Sequence, residues 1–263
     1  MQTQAFGRLN RVAPPRRRNL DGVASEVVAR VAAARSAADP ICERLMQRLV
    51  AAAAGADRIR CGEVHAAARG AGVSDEQFVD LYLPEAARRM GADWLADRMS
   101  FARVSIGMAQ LQSLLRDIPA AHGLPETATG GDPPAVLMVV PRGEQHVFGA
   151  RIAAGKLRRG GACVVSLLGP RTGEVAAALA RRPVDALMLS AGGAGGLEFC
   201  CELIHAIRSD ICAHLPIVVG GAAMTWKEEI ESYTGADIVS SDPEAALRAC
   251  LARCADVRVR SSA

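Results

Sequence analysis

The sequence contains few aromatic residues, few histidines and no long apolar run. Its 263 residues include two Trp, two Tyr, five Phe and five His. No apolar stretch is long enough to cross a bilayer, and the N-terminus lacks the apolar segment of a secretory signal. We therefore expect a cytoplasmic protein that does not associate with a membrane. Half of the residues are apolar, with much Ala and Leu, which favours helix.

The eight cysteines do not have the placement of a disulfide scaffold. Cys163 lies in an apolar run typical of a strand, and Cys200 and Cys201 lie in a run typical of a helix. In a cytoplasmic protein this predicts reduced cysteines that fill the core. Cys250 and Cys254 are four residues apart on a predicted helix. They could share a metal, but an isolated pair rarely completes a metal site, so packing is the preferred interpretation.

The net charge of +3 is distributed unevenly. Residues 1–39 contain seven Arg and three acidic residues, which leaves the rest of the chain slightly negative. Residues 1–22 cannot bury enough apolar surface to fold, and we expect a flexible basic arm. Two interpretations of the arm stay open. It is either a solvated tail or a segment that makes weak, non-specific contact with DNA phosphates.

Residues 23–118 have helical spacing and predict a helical-bundle domain. Its helices are expected at 24–36, from Pro40 onward, and at 60–70, 75–90 and 93–117. Residues 119–134 are rich in Pro and Gly and predict a linker. A second domain is expected over 135–255, followed by a tail at 256–263.

The second domain alternates apolar runs with helical segments. This pattern predicts an α/β fold, a doubly wound parallel five-stranded sheet of flavodoxin-like (Rossmann-like) type with helices on both faces. In such sheets, ligands bind at the carboxyl ends of the strands. The predicted strands are 135–140, 162–168, 185–190, 215–219 and 237–240.

Polar and small residues follow the predicted strands. Glu144 and His146 follow the first, Ser190 ends the third, and Gly220 and Gly221 end the fourth. A His near a carboxylate at such a turn can bind a metal, because the carboxylate can hold the other ring nitrogen. Glycines let a bulky ligand approach the backbone. The alternative is that His146 is an ordinary surface histidine.

This set of residues resembles the cobalamin-binding (B12-binding) domain family. Members carry Asp-x-His-x-x-Gly, then Ser-x-Leu, then Gly-Gly, at set distances and after a helical cap. This chain has Glu144-x-His146-x-x-Gly149, with forty residues between Gly149 and Ser190 and 27 between Gly192 and Gly220. The resemblance covers residues 40–255.

The resemblance implies that cobalamin is the cofactor and that His146 is the metal ligand beneath the cobalt. Glu144 would orient His146, and Ser190 would contact the displaced base of the cofactor. Two departures from the family pattern matter: Glu144 replaces Asp, and Gly192 replaces the Leu of Ser-x-Leu, which loosens one wall. The glycines that would make room for the nucleotide tail are Gly149, Gly220 and Gly221.

The cap is expected to cover the upper face of the corrin. Trp94 is followed, after nine residues, by Val104 and Ser105, where light-sensing repressors of the family carry Glu-His. Trp94 either forms a lid over the corrin or fills the cap core. The upper histidine is missing, and the resemblance implies water or hydroxide, rather than adenosyl, on the upper side of the cobalt. The alternative is a residue from the N-terminal arm, which contains no histidine and offers only Asn10 as a weak candidate.

The stretch from Met90 to Ile118 resembles the cap of photosynthesis antirepressors of the AerR/PpaA type. The resemblance implies a non-enzymatic transcription regulator, an antirepressor and photoreceptor that binds cobalamin and acts on a transcriptional repressor of photosynthesis genes. Two alternatives stay open. One is a corrinoid shuttle protein for methyl transfer, and the other is a haem or redox sensor with the same fold.

Overall fold

The computed structural model describes residues 41–122, 133–142, 144, 147–221 and 227–260. The predicted basic arm and the predicted helix at 24–36 lie outside the described residues. The described part begins with helices that form the cap. They are α1 (Glu43–Ala54), α2 (Arg58–Gly70), the single turn α3 (Asp75–Gln77), a π-helix (Phe78–Tyr82), α4 (Leu83–Leu95), α5 (Phe101–Asp117) and a 3-10 helix (Pro119–Ala121).

Local sequence explains where several cap helices begin. Asp57 and Ser100 accept hydrogen bonds from backbone amides in the first turns of α2 and α5. Ser74 and Gln77 form a reciprocal capping box at the start of α3. These side chains satisfy amides that have no partner inside the helix, so each marks a helix start in the sequence.

The predicted helix 75–90 contains an irregular segment. The chain passes from α3 into a π-helical turn before α4 begins at Leu83. The rings of Phe78 and Tyr82 stack at 5.4 Å within this turn, and His65 lies 4.8 Å from the Phe78 ring. The π-turn places Asp80 toward the second domain, where it forms an ion pair.

The prediction of one continuous helix over 93–117 is wrong. The first helix ends at Leu95, and Asp97 adopts a left-handed backbone conformation with φ of 55°. The amides of Arg98 and Met99 both donate to the carbonyl of Asp93, and Ser100 then starts α5. A left-handed residue cannot continue a right-handed helix, so Trp94 lies on α4 rather than on α5.

The second domain is the predicted doubly wound parallel sheet. Its strand order is β2-β1-β3-β4-β5, which confirms the flavodoxin-like arrangement. The strands are β1 (Ala135–Val140), β2 (Cys163–Leu168), β3 (Ala186–Ser190), β4 (Ile217–Gly220) and β5 (Ile238–Val239). The helices between and after them are α6 (Val147–Arg159), α7 (Thr172–Arg181), α8 (Ala194–Asp210), α9 (Lys227–Thr234) and α10 (Pro243–Arg260), which runs into the predicted tail.

The two faces of the sheet have separate apolar cores. Leu137 and Val139 pack with α7 and α8 on one face, whereas Val136 and Met138 pack with α6 and α10 on the other. All six residues of β1 are buried, as expected for a central parallel strand. The edge strand β2 differs from the expectation of full cover, because Val165 is 47% and Leu168 is 52% exposed.

The cap and the sheet share one helix, α6. Phe148 and Ile152 of α6 belong to the apolar core of the cap. At the other end of α6, a Cβ on Gly155 would overlap the carbonyl oxygen of Ala121. The first residues of the predicted linker are therefore an ordered 3-10 turn in contact with α6, and residues 123–132 lie outside the described residues.

A half-buried ion pair completes this contact. The guanidinium of Arg159 donates to both carboxylate oxygens of Asp80, at 2.5 and 2.6 Å, and to the carbonyl of Ala120. Burial raises the pKa of the Asp80 carboxyl, and the Arg159 charge opposes that shift. The pair joins the π-turn of the cap to the C-terminal end of α6.

The structure places Cys163 on β2 and Cys200 and Cys201 on α8, as predicted, and none of the eight cysteines is in a disulfide. Within the described part of the chain, no helix combines the length and the apolar character needed to cross a bilayer.

Candidate functional site

The candidate site is the crevice at the carboxyl ends of β1, β3 and β4. Connections from β1 and β3 leave the sheet in opposite directions, which makes the position between these two strands the switch point of the fold. Glu144, Ser190 and Gly220 all lie at this edge. The structure therefore brings together residues that are up to 76 positions apart in the sequence.

Glu144 connects the loop after β1 to the loop after β3. The backbone amide of Gly192 donates to Oε2 of Glu144 at 2.6 Å. A Cβ on Gly196 would lie 3.1 Å from the same oxygen, so the glycine-rich start of α8 lets the carboxylate approach. Glu144 and Gly192, both predicted site residues, are therefore in contact. The sequence does not predict that the Gly192 amide is the group that binds the Glu144 carboxylate.

His146, the predicted metal ligand, lies outside the described residues. The helix α6 begins at Val147, directly after it in the chain. Gly149, in the first turn of α6, is exposed, and a Cβ there would meet no atom of a described residue within 4 Å. The described residues therefore leave space for a ligand beside Gly149, and their packing does not require a glycine there.

Ser190 lies half-buried at the end of β3, in register with Gly220 of β4. The amide of Ala191 donates to the carbonyl of Gly220 at 2.8 Å, which aligns the two strand ends. The Ser190 hydroxyl makes no hydrogen bond within the described part of the chain. Contact between this hydroxyl and a ligand stays a prediction.

The glycine pair after β4 has a structural reason that the sequence did not reveal. A Cβ on Gly220 would lie 2.9 Å from the carbonyl oxygen of Ser240. Gly221 has a φ of +123°, and a Cβ there would overlap the backbone of Ala191. Close packing of three strand ends therefore already requires glycine at both positions. The presence of glycine at 220 and 221 is explained without a ligand, so the contact of these residues with a nucleotide tail stays a prediction.

On the cap, Trp94 does not fill the core. It is 44% exposed, and its ring lies 5.9 Å from that of Phe101, which is 64% exposed. Ser105 is one helical turn beyond Phe101 and is also exposed, whereas Val104 is partly buried against the cap core. Of the two interpretations of Trp94, the structure excludes the core one and leaves an exposed aromatic pair.

Cys200 and Cys250 are buried thiols rather than reactive groups. Cys200 is fully buried, and burial raises the pKa of its thiol to about 12, with smaller contributions from Cys201 and Glu144. Burial likewise raises the pKa of Cys250 to about 12, and the Cys254 thiol donates to the carbonyl of Asp185. In the described ranges, no cluster of three His, Cys, Asp or Glu side chains could hold a metal ion.

The fold and this crevice define a ligand-binding doubly wound domain with a helical cap. Comparison with protein families gives the class: the model described as B12 binding domain matches residues 134–251. A Rhodobacter capsulatus protein, described as an uncharacterized 20.5 kDa protein in the bchF-crtJ intergenic region, is 35% identical over 179 residues. These residues make up 66% of this chain and 90% of that protein. The chain therefore belongs to the B12-binding domain family.

Solved structures show the same fold. The monomethylamine corrinoid protein of Methanosarcina barkeri superposes with a TM-score of 0.65 at 17% identity, covering 80% of this chain and 98% of that protein. At this level of identity the likeness concerns architecture, a helical cap followed by a doubly wound sheet. The predicted architecture, a helical cap domain followed by a doubly wound parallel sheet, is confirmed.

Proposed function

We propose that this protein is a cobalamin-dependent transcription regulator, an antirepressor that acts on a repressor of photosynthesis genes. The observation that carries the cobalamin part is the Glu144 carboxylate, held by the Gly192 amide at the switch point of a B12-binding domain. The regulatory part is supported by the R. capsulatus relative, whose gene lies between bchF and crtJ in a photosynthesis cluster.

The described residues are compatible with a bulky cofactor at this edge. Gly149 leaves open space, Ser190 presents a hydroxyl, and Glu144 stands two residues before His146 in the chain. In the proposal, His146 is the lower cobalt ligand and Glu144 fixes the orientation of its ring. Cobalamin would supply a cobalt whose upper ligand exchanges in response to light or redox state. Water or hydroxide is the proposed upper ligand.

The proposed signal output is binding rather than catalysis. Trp94 and Phe101 form an exposed aromatic pair on the cap, with Ser105 one turn beyond Phe101. In the proposal this surface faces the upper side of the cofactor. The bound cofactor would supply the light- or redox-sensitive chemistry, and the cap would present or withdraw the surface that binds the repressor. The basic arm would add weak contact with DNA.

Cofactor binding is tested with the purified full-length chain. Hydroxocobalamin is added in the dark, free cofactor is removed by gel filtration, and the absorption spectrum is recorded. We expect the wild type to retain cobalamin with a histidine-ligated spectrum and His146→Ala to lose it. His205→Ala, an exposed histidine on α8, is the matched control and should behave as the wild type.

Two results would contradict the proposal at different points. Uptake of haem without uptake of cobalamin would favour the haem-sensor alternative. Repeated methylation and demethylation of the bound cobalamin by a methyl donor and acceptor would favour the methyl-transfer shuttle.

The regulatory step is tested by adding the cobalamin-loaded protein to a complex of photosynthesis promoter DNA and its repressor. Release of the repressor should require His146.

A further inference from the structure

A second cleft lies at the junction of the cap and the sheet. It has a volume of about 330 Å³ and lies between α6 and the edge strand β2, beneath the end of α5. This size falls within the usual range of small-molecule pockets. The crevice of Glu144 is at the N-terminal end of α6, whereas this cleft runs along the flank of α6 beside β2.

The floor of the cleft is apolar and consists partly of small residues. Met138 and Val140 come from β1, and Ala150 and Ala154 come from successive turns of α6. The two alanines leave room that longer side chains would fill. Leu168 of β2 lines one side and is 52% exposed, so the described residues leave a large apolar side chain uncovered here.

The rim of the cleft is basic. It contains Arg116 and His122 from the cap and Arg151 and Arg158 from α6, and no carboxylate of a described residue lines it. Arg158 donates to the carbonyl of Val164 at 2.9 Å, and the His122 ring contacts the carbonyl of Arg116. Neither Arg116 nor Arg151 forms an ion pair within the described part of the chain.

This rim differs from the other arginine-rich surface of the cap. There Arg88, Arg89 and Arg98 line a cavity between α1 and α4, and each of them pairs with a carboxylate within 2.8 Å. Three of the four arginines that line this cavity are therefore paired with carboxylates, and Arg103 is the fourth. At the second cleft the protein supplies cations but no anion, so an anionic ligand is the complementary occupant.

The walls of the cleft are held in place before any ligand binds. Ala121, which lines it, packs against Gly155 so closely that no side chain fits between them. Arg159 of α6 also donates to the carbonyl of Ala120 in the same 3-10 turn, and it pairs with Asp80 of the π-turn. A preformed cleft loses little conformational freedom on binding, which favours a small ligand.

We propose that this cleft binds a small organic anion with an apolar body and one carboxylate or phosphate group. The apolar body would lie on Met138, Val140 and Ala154. The anionic group would lie at the rim, where Arg116 and Arg151 can each donate charge-assisted hydrogen bonds. The site does not depend on the function proposed above, because none of the residues predicted to contact cobalamin lines it.

The test uses the full-length protein, with and without cobalamin, and the fluorescent probe anilinonaphthalene sulfonate. We expect saturable binding that decanoate displaces and decanol, which has the same chain without the charge, displaces much more weakly. Arg116→Glu and Arg151→Glu should each weaken decanoate binding by about tenfold or more, the usual value of a charge-assisted hydrogen bond. Arg48→Glu, an exposed arginine on α1, should change it less than about twofold, as expected for a surface residue without contact.

Two outcomes would overturn the proposal. One is the absence of saturable, decanoate-sensitive binding in the wild type. The other is unchanged decanoate binding in both charge-reversal variants, which would place the anion elsewhere, for example at the exposed aromatic pair of the cap. Both arginines are exposed, so the variants should fold, and circular dichroism verifies this. The cobalamin spectrum of each variant separates failure of this site from failure of the Glu144 crevice.

Discussion

The two ends of α6 differ in how closely they are packed. At the C-terminal end, Gly155 packs against the cap without space for a methyl group, and Arg159 binds Asp80 and Ala120. At the N-terminal end, Phe148 packs into the cap core, but the next residue, Gly149, is exposed, and a Cβ there would meet no atom of a described residue within 4 Å. The helix is thus in contact with the cap at both ends and leaves an exposed face at the N-terminal end only. A rigid helix can therefore still offer a surface to a ligand.

The largest expected effect comes from breaking the contact at the C-terminal end of α6. Asp80→Ala removes the partner of Arg159 in a pair whose side chains are only 15% and 18% exposed. Loss of one partner from a buried pair costs about 3 kcal/mol or more, because a poorly solvated charge is left behind. Urea denaturation of the purified protein measures the free energy of unfolding.

The matched control for this prediction is Asp117→Ala. It breaks the Arg58–Asp117 pair, in which the side chains are 65% and 51% exposed. A surface pair of this kind contributes less than about 1 kcal/mol. Equal losses in the two variants would mean that the contact between the π-turn and α6 is not an anchor.

The N-terminal end of α6 should respond in ligand binding as well as in stability. Glu144→Ala removes the charged acceptor of the Gly192 amide, and the resulting loss of stability should be about 1.5 kcal/mol or more, as for a hydrogen bond to a charged group. In addition, loss of a carboxylate that orients a metal-binding histidine lowers affinity by about ten- to a hundredfold. Titration with hydroxocobalamin measures the affinity, and urea denaturation measures the free energy of unfolding. A loss of stability without a change in affinity would contradict the role proposed for Glu144.

The smallest expected effect is that of Gly149→Ala, which is compared with Gly155→Ala in the same helix. Gly155→Ala forces a methyl group against the Ala121 carbonyl and should cost about 1–3 kcal/mol, as overpacking does. The new methyl group of Gly149→Ala meets no atom of a described residue within 4 Å, and the substitution should stabilise the helix by up to about 1 kcal/mol. Thermal unfolding compares the two variants. If Gly149→Ala also lowers cobalamin affinity, the exposed face at Gly149 is the ligand side. Destabilisation by Gly149→Ala would show that Gly149 itself is closely packed.

The strands could be predicted because apolar runs are a local signal. The run predicted at 135–140 matches β1, and the run predicted at 162–168 begins one residue before β2. The interruption of the helix at 93–117 was missed because the apolar spacing continues across it. Ser100 carried the one usable signal, since serine commonly begins a helix. The left-handed conformation of Asp97 left no mark in the sequence pattern.

The candidate site could be assembled in outline from spacing alone. Glu144, Ser190 and Gly220 were placed at one sheet edge because parallel strands bring their carboxyl ends together. The bond between Glu144 and the Gly192 amide could not be predicted, since any backbone amide near the crevice could have made it. The structural need for glycine at 220 and 221 was also hidden, because it depends on Ser240 and Ala191 from neighbouring strands.

The order of elements, the class of fold and the family to which the chain belongs can be inferred from the sequence alone. These properties follow from periodicity and from motif spacing along the chain, which are one-dimensional. The close packing of α6 at Gly155 and the position of the basic cleft without carboxylates are visible only in the folded structure. Such contacts join residues far apart in sequence, as Asp80 and Arg159 are. They form only when the cap packs against α6 of the second domain. Their energy depends on burial, which the chain acquires only when it folds.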